Sequence, residues 1–285
     1  MQSLNVFQSL WAMELRSAVR PEPRLEENVE RIAKAGFDGV SAHWYDRAYV
    51  RRLTVLLAEH GLKAEGQCFP KTVDDLKPAL ENAVEFGVAH LCLQPDVRFR
   101  RVEDCLPLLE GWQRLGEEAK VPVYIETHRD RMTTDLFFTL DLMDRMPELK
   151  LLADLSHFLV GREFAVPVSG ENHALMHRIL DSAWAFHGRV ASREQVQIEI
   201  AFAHHKPWLD LFMGWWEYGL RSWQRRAGPD DAVSFVCELG PKPYAITGPD
   251  GEDTTDRWQE ALRLKDEVRA LWKRIAPEDK IKTSD

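Results

Sequence analysis

The sequence predicts a single-domain α/β protein with a (β/α)8 TIM barrel fold, and two observations support this fold class. Short apolar runs rich in β-forming residues alternate eight times with longer amphipathic segments, as expected for eight strand–helix units. Glycines separate predicted helices from the strands that follow, as Gly36, Gly61 and Gly87 do. A doubly wound open sheet also alternates, but no GxGxxG motif follows the first strand, and eight units exceed what that fold usually needs.

The predicted strands are nearly continuous apolar runs, which is typical of strands buried on both faces. They span Leu4–Met13, Phe37–Trp44, Lys63–Phe69, His90–Asp96, Val121–His128, Leu149–His157, Ser182–Val190 and Val233–Gly240. Helices are predicted at Leu25–Ala35, Val50–Glu59 and Val73–Phe86, after the first three strands. A further helix, Trp208–Arg225, has a broad face rich in tryptophan, which predicts core burial, with a dimer contact or a lid as alternatives.

Length, charge and cysteine content limit the class of protein. The chain has 285 residues and 37 Lys+Arg against 46 Asp+Glu, a net charge of -9. One large core fits this length, so we expect one barrel domain over residues 1–275 and a polar tail at 276–285. An acidic chain is a poor match for nucleic-acid phosphates. No signal peptide, long apolar run or CxxC pair is evident, which predicts a cytoplasmic protein with reduced thiols and no membrane span.

Ionisable residues stand at the ends of the last four predicted strands. Glu126 ends strand five, Asp154 strand six, His187 strand seven and Glu238 strand eight. The carboxyl ends of barrel strands meet at one face, so these side chains are expected to lie close together. Each residue alone is more often a salt-bridge partner or a half-buried structural group. Four on successive strands favour a shared site.

Three carboxylates cannot lie together in a barrel mouth without compensation, because desolvation and mutual repulsion would force proton uptake. A divalent cation resolves this conflict. Three carboxylates and one imidazole suit Mn²⁺, Mg²⁺ or Co²⁺, with Zn²⁺ as a further alternative. The pattern therefore predicts one divalent metal ion in the mouth of the barrel.

Aromatic and amide side chains near the ends of the first four strands predict a wall for a polyhydroxylated substrate. Trp11 ends strand one and Trp44 ends strand two, beside His43, while Gln67 and Gln94 end strands three and four. Aromatic faces pack on the C–H groups of sugars, and amides bond their hydroxyls. For Trp44, simple core packing is an equally good interpretation. The two amides are better candidates, because a buried amide needs a partner.

At these residues the chain resembles the xylose isomerase-like TIM barrel family, which includes sugar phosphate isomerases/epimerases and the AP endonuclease family 2 fold. The order Glu, Asp-x-x-His, His, Glu on strands five to eight is similar to that family's mononuclear metal pattern. The resemblance implies that Glu126, Asp154, His187 and Glu238 bind one metal ion. It also implies that His157 binds substrate.

The resemblance extends to the loops after strands five and seven. The segment HGRVASR is similar to the family's His followed by a substrate-binding Arg, which implies this role for Arg193. His128, in the segment ETHRDR, is a further candidate for substrate binding. The ketose epimerases carry a second glutamate where this chain has Met132, so their substrate cannot be transferred. The extra histidines of the endonuclease branch are missing apart from His43, which with the net charge of -9 argues against DNA repair.

Three arginines of the predicted mouth, Arg129, Arg189 and Arg193, are compatible with a phosphorylated substrate. No glycine-rich phosphate cradle follows the last two strands, and Pro241 and Pro243 remove two backbone donors after strand eight. The sequence therefore slightly favours a sugar without phosphate, or a sugar conjugate.

The activity that the resemblance implies is divalent-metal-dependent isomerisation or epimerisation of a sugar, with Mn²⁺ first among the ions. Glu126 or Glu238 would remove a proton next to a carbonyl, through an enediolate, and the other would return one. A lyase or dehydratase acting by β-elimination on a keto-sugar, keto-glycoside or cyclitol is the alternative, because it shares the first step. The expected partner is a small sugar or sugar-derived substrate, with no nucleic acid and no membrane. The family's frequent dimers and tetramers make a homo-oligomer an expectation.

Overall fold

Eight parallel strands close into one barrel in the computed structural model, which describes residues 1–275. The strands are β1 (Ser3–Ser9), β2 (Gly39–His43), β3 (Lys63–Cys68), β4 (His90–Leu93), β5 (Val123–Glu126), β6 (Leu151–Ala153), β7 (Ala183–Gly188) and β8 (Ala232–Cys237). Each strand pairs with its neighbours in sequence, and β8 closes the barrel by pairing in parallel with β1. The predicted fold class is confirmed. The predicted tail at 276–285 lies outside the described residues.

Helices surround the barrel and connect its strands. They are α1 (Leu25–Lys34), α2 (Arg47–His60), α3 (Lys77–Phe86), α4 (Leu106–Ala119), α5 (Leu136–Arg145), α6 (Ser156–Gly161), α7 (Gly170–Asp181), α8 (Lys206–Arg226) and α9 (Arg257–Ile275). Local chemistry sets several of these ends. Asp46 caps α2 by accepting a hydrogen bond from the Tyr49 backbone N–H at 2.8 Å. Gly61 ends the same helix at φ 65°, a left-handed conformation that glycine adopts without strain.

All eight predicted strands extend past the carboxyl ends of the observed ones, and the first and the sixth extend the furthest. Strand β1 stops at Ser9 and is followed by a 3-10 turn over Trp11–Met13. Strand β6 stops at Ala153, because Asp154 Oδ1 accepts hydrogen bonds from both the backbone N–H and the hydroxyl of Ser156, which turns the chain into α6. Apolar residues continue beyond both strands, so hydrophobicity alone could not locate these turns.

The aromatic face of α8 packs into the core. Trp215, Trp216 and Trp223 are at most 1% exposed, and the Trp216 ring meets Phe235 of β8 edge to face at 5.0 Å. Core burial, the first interpretation of this face, is confirmed. All four cysteines are buried free thiols. Among the helices of the described residues, none has the length and apolar character needed to cross a bilayer.

Candidate active site at the carboxyl end of the barrel

The four residues predicted as metal ligands lie at the carboxyl ends of four neighbouring strands. Glu126 is the last residue of β5 and His187 lies in β7, while Asp154 and Glu238 directly follow β6 and β8. Three of them have no exposed surface, and Glu238 is 2% exposed. Parallel pairing of β5 through β8 holds their backbones side by side. The barrel therefore gathers the predicted set in a buried position.

Three of these residues direct electron-pair donors at one point. His187 Nδ1 lies 3.5 Å from Glu126 Oε1 and 3.2 Å from Glu238 Oε2. The three residues each offer one ligand atom within 4.8 Å of the others. Glu126 Oε1 and His187 Nδ1 are buried and have no hydrogen-bond partner within the described residues. Buried polar atoms are normally satisfied, so this point is suited to a bound group.

Asp154 lies beside this trio and faces Arg189. Its Oδ2 has no hydrogen-bond partner among the described residues and lies 3.5 Å from His157 Nε2. Arg189 Nη2 lies 3.7 Å from the same oxygen and 2.5 Å from Glu238 Oε2. The guanidinium, 1% exposed, thus stands between two of the predicted ligands and offsets part of their charge.

Sequence reasoning missed the role of Arg189 in this site and considered it only for phosphate. Arg189 Nε donates to the Glu238 backbone carbonyl at 3.1 Å, which fixes the guanidinium beside that residue. Its ring neighbours are Tyr244, with a centroid 4.8 Å from Cζ, and Trp11, with a centroid at 5.7 Å. The sequence signal that could have revealed this role is the position of Arg189, two residues after His187 at the end of the same strand.

A deeper layer of polar residues supports the site, and sequence reasoning missed it entirely. Glu65 of β3 is completely buried, and its Oε1 lies 2.9 Å from His187 Nε2. Cys92 of β4 donates its thiol proton to Glu126 Oε2 at 2.9 Å. A glutamate in the middle of a strand predicted to be buried was the signal that could have revealed Glu65, because such a charge requires partners.

The pKa values of the site follow from burial and charge. Burial raises the pKa of Asp154 to about 6, against the opposing effect of Arg189. Burial also acts to raise the pKa of Glu238, but His187 and Arg189 outweigh it and lower that pKa to about 2. For His187, burial is outweighed by Glu238 and the other nearby carboxylates, so its pKa lies well above the ordinary value.

A cavity of about 420 Å³ opens beside the site, between the ends of β1, β2 and β3. Its lining residues are Leu10, Trp11, Glu14, Ala42, His43, Asp46, Tyr49 and Gln67. Gln67 connects it to the site, because its amide Nε2 donates to Glu238 Oε1 at 3.0 Å. Small polar molecules of sugar size therefore have room next to the buried carboxylates.

The donor set fits a divalent cation. Glu126 Oε1, His187 Nδ1 and Asp154 Oδ2 are buried acceptors without hydrogen bonds in the described part of the chain. Carboxylate oxygens are donors that hard and borderline ions accept, and so is the neutral imidazole that is left when a bound ion displaces the Nδ1 proton of His187. His187 also shows the surroundings of a metal ligand, since its other ring nitrogen is bonded to a carboxylate.

Comparison with solved structures identifies the fold of this chain. No protein-family model and no curated protein matches the chain. A xylose isomerase-like TIM barrel protein from Mycobacterium smegmatis, solved in complex with magnesium, is 11% identical, with a TM-score of 0.62 over 97% of this chain and 100% of that one. This chain has the fold of the xylose isomerase-like TIM barrels.

Two further solved structures share the xylose isomerase-like barrel. The D-psicose 3-epimerase from Clostridium cellulolyticum H10, solved with D-tagatose, is 12% identical, with a TM-score of 0.58 over 94% of this chain and 99% of that one. The probable 3-DHS dehydratase AsbF from Bacillus anthracis is 13% identical, with a TM-score of 0.56 over 94% and 98%.

The other predicted substrate-binding residues occupy different positions around this xylose isomerase-like barrel. His157 lies in the first turn of α6, where it is buried, and the His128 ring packs on it at a centroid distance of 3.9 Å. Gln94 is buried directly after β4. Arg193 is half exposed and pairs with Glu163 at 3.3 Å, and its ion pairs within the described residues do not involve the buried carboxylates.

Trp44 is a correction to the predicted substrate wall. Its side chain has no exposed surface and packs in the core over Gly66, where an added Cβ would lie 2.7 Å from the indole. The tryptophan follows β2 by one residue, so its side chain points away from the barrel mouth into the helix layer. The core-packing interpretation is therefore the correct one.

Proposed function

We propose that this chain is an enzyme that removes the proton next to a carbonyl of a small polyhydroxylated substrate, as an isomerase or epimerase does. The observation that carries the proposal is the convergence of Glu126 Oε1, His187 Nδ1 and Glu238 Oε2 at the carboxyl end of the barrel. Active sites of this fold lie at that end. A base, a fixed cation and a candidate metal site lie together there.

Glu126 is the better candidate for the base. Cys92 is bonded to its Oε2, whereas Oε1 has no hydrogen-bond partner among the described residues, so the lone pair of Oε1 that a metal ion leaves unused could accept the substrate proton. Both carboxylate oxygens of Glu238 already accept hydrogen bonds, one from Gln67 and one from Arg189. A carboxylate with a pKa of about 2 is also a weak base. The proposal therefore assigns proton removal to Glu126 and orientation to Glu238.

A divalent ion held by Glu126, His187 and Glu238, with Asp154 beside them, would act as a Lewis acid on the substrate carbonyl. The protein contributes a second, fixed cation in Arg189. Its Nη1 is buried and has no partner among the described residues, so it can donate to an oxygen on which negative charge develops. Burial at 1% exposure strengthens this interaction by excluding water.

The substrate class follows from the cavity next to Gln67. Glu14 and Asp46 line it, and their charges disfavour a phosphate or carboxylate in this position. The indole of Trp11 gives an apolar face on which the C–H groups of a sugar can pack. We therefore propose a neutral keto-sugar or keto-glycoside as substrate, as the lack of a phosphate cradle in the sequence also suggests.

Elimination by a lyase or dehydratase is a second candidate, and the paired rings of His128 and His157 are the groups that could serve it. Elimination requires a proton donor at the leaving group in addition to a base. The two rings are in contact at 3.9 Å, and both nitrogens of the buried His157 are unpartnered within the described residues. Burial, followed by the nearby His128, holds the pKa of His157 well below its usual value, so the neutral ring has little tendency to hold a proton for the leaving group. Isomerisation or epimerisation therefore ranks first.

Hydrogen exchange tests the proposal even while the product is unidentified. The protein, supplied with Mn²⁺, is incubated in D₂O with a panel of ketohexoses, 3-keto-glucosides, inososes and dehydroshikimate, and the substrate carbons are followed by NMR. We expect deuterium at the carbon next to the carbonyl with at least one neutral member of the panel. Mass conserved in the product indicates isomerisation or epimerisation, whereas a new double bond or a released aglycone indicates elimination.

The variant Glu126→Gln supplies the mechanistic control. It should lower the exchange rate by about 10²-fold or more, because the positioned base is lost. A matched control is Glu260→Gln, which changes another buried glutamate, on α9 and hydrogen-bonded to the Ile200 backbone outside the site. Native exchange in Glu126→Gln would contradict the assignment of the base. No exchange with any panel member in the wild type would contradict the proposed reaction.

A further inference from the structure

Glu65 is a charged residue in the interior of the barrel, deeper than the candidate reaction centre. It lies in β3 two residues before Gln67, which borders the cavity, and it has no exposed surface. The free energy of burying a lone carboxylate is large unless partners compensate it. The proposed reaction does not use Glu65 as acid, base or metal ligand. Its presence there therefore requires a separate explanation.

Three donors among residues 1–275 satisfy this carboxylate. Glu65 Oε1 accepts from the Ser41 hydroxyl at 2.7 Å and from His187 Nε2 at 2.9 Å, while Oε2 accepts from His90 Nε2 at 2.8 Å. Ser41, His90 and His187 are at most 3% exposed. The donors come from β2, β4 and β7, so the position of Glu65 is fixed from three directions. An anchored carboxylate of this kind can in turn fix the histidines that it contacts.

The contact with His187 determines which of its ring nitrogens faces the reaction centre. An ionised carboxylate only accepts hydrogen bonds, so the imidazole donates its Nε2 proton to Glu65. In neutral histidine the lone pair then lies on Nδ1, which points towards Glu126 Oε1 at 3.5 Å and Glu238 Oε2 at 3.2 Å. Loss of Glu65 would remove the acceptor that holds the proton on Nε2.

We propose that Glu65 is a positioning residue that holds His187 as the Nε2–H tautomer and directs Nδ1 to a divalent cation shared with Glu126 and Glu238. The inference rests on the metal site of the proposed function and adds a residue to its support. Histidine ligands of metals are commonly oriented by a carboxylate on the other ring nitrogen, and loss of such a partner typically weakens metal binding about 10–100-fold. Ser41 and His90 in turn hold Glu65 in place through their hydrogen bonds to its carboxylate.

Two substitutions separate positioning from simple packing. Glu65→Leu removes every acceptor, so the Nε2 proton of His187 loses its partner. Glu65→Gln keeps an amide oxygen that accepts from His187 and Ser41, while its NH₂ group can donate to the other tautomer of His90. We expect Mn²⁺ affinity, measured by titration calorimetry, to fall about 10–100-fold in Glu65→Leu and by less than about 3-fold in Glu65→Gln. Both variants lose the negative charge of Glu65, so a Mn²⁺ affinity retained only in Glu65→Gln would show that the hydrogen-bond acceptor matters and not the charge.

The ring itself gives a second readout that needs no variant. In wild-type protein loaded with diamagnetic Zn²⁺, long-range ¹H–¹⁵N NMR shows which nitrogen of His187 carries the proton. We expect the proton on Nε2 and the metal on Nδ1. Coordination through Nε2 would overturn the proposal, whether or not Glu65→Leu folds.

The outcomes for the positioning role and for the metal site differ. Equal Mn²⁺ affinity in wild type and a folded Glu65→Leu would overturn the positioning role and leave the proposed function intact. Failure of the wild type to bind Mn²⁺ or Zn²⁺ would overturn both. Glu260→Gln serves as the matched control, because it changes a buried glutamate outside the site and should bind Mn²⁺ as the wild type does.

Discussion

Arg189 Nη2 lies 2.5 Å from Glu238 Oε2 and 3.7 Å from Asp154 Oδ2, so one buried guanidinium bridges the carboxyl ends of β6 and β8. The two carboxylates belong to the set predicted to bind a metal ion. This arginine therefore compensates part of the charge that a cation would otherwise neutralise alone. It helps the barrel to bury several acidic residues at its centre.

Removal of this cation should destabilise the protein and increase its dependence on metal. Arg189→Met leaves two buried carboxylates without their partner, a change that typically costs about 3–5 kcal/mol. In EDTA, thermal unfolding should therefore occur at a clearly lower temperature than for wild type. Mn²⁺ should raise the Tm of the variant more than that of the wild type, because metal binding replaces the lost charge. An unchanged Tm in EDTA would contradict the charge-compensating role.

A carboxyl pair away from the active site gives a pH dependence of stability. Glu260 of α9 lies beside Glu199, and its Oε1 accepts from the Ile200 and Ala201 backbone N–H groups at 2.5 and 3.2 Å. Burial, together with Glu199, raises the pKa of Glu260 from 4.5 to about 9. The folded state thus binds a proton that the unfolded state releases near its ordinary pKa. This contribution to stability is complete below that pKa and is lost progressively as the pH rises towards the folded-state value.

The variant Glu260→Gln should remove this dependence, because the amide imitates the protonated acid. Each pKa unit corresponds to about 1.4 kcal/mol. Between about pH 5 and about pH 9 we expect the Tm of wild type to fall relative to that of Glu260→Gln by at least about 2–4 °C. Parallel Tm curves for the two proteins, measured by scanning calorimetry, would show that the carboxyl is ionised in the folded state.

The contrast between Trp44 and Trp11 tests the corrected substrate wall. Trp44→Ala empties a fully buried core position and should lower the free energy of unfolding by about 3–5 kcal/mol, as measured by urea denaturation. Trp11→Ala opens the cavity and should raise KM for the substrate found by exchange about 10-fold or more. Its effect on stability should be the smaller of the two. A higher KM in Trp44→Ala with an unchanged free energy of unfolding would instead show that Trp44 contacts the substrate.

The barrel and the residues gathered at its mouth could be predicted from the sequence for a simple physical reason. Alternation of apolar runs and helical segments specifies the topology, and Glu126, Asp154, His187 and Glu238 follow those runs directly. Parallel strands in a closed barrel then leave only one end at which they can meet.

Other features depend on tertiary contacts, so their partners and roles could not be predicted even where a sequence signal was present. Glu65 gains its meaning only when β3 and β7, distant in sequence, face each other across the barrel, which brings His187 within 2.9 Å. Arg189 sits on an apolar strand end, where a charge pattern gives no hint of two carboxylate partners. Trp44 was ambiguous because a one-residue step at a strand end reverses the side-chain direction. The turn after β6 depends on the side-chain bonds of Asp154 to Ser156.

The most direct test of the metal site is a crystal structure of the wild-type protein with Mn²⁺, in which anomalous scattering locates the ion. We predict one Mn²⁺ at the carboxyl end of the barrel, bound by Glu126 Oε1, His187 Nδ1 and Glu238, with Asp154 as the fourth protein ligand. An ion in the deeper group formed by Glu65, Cys92 and His187, or an anomalous peak only elsewhere on the protein, would contradict this assignment.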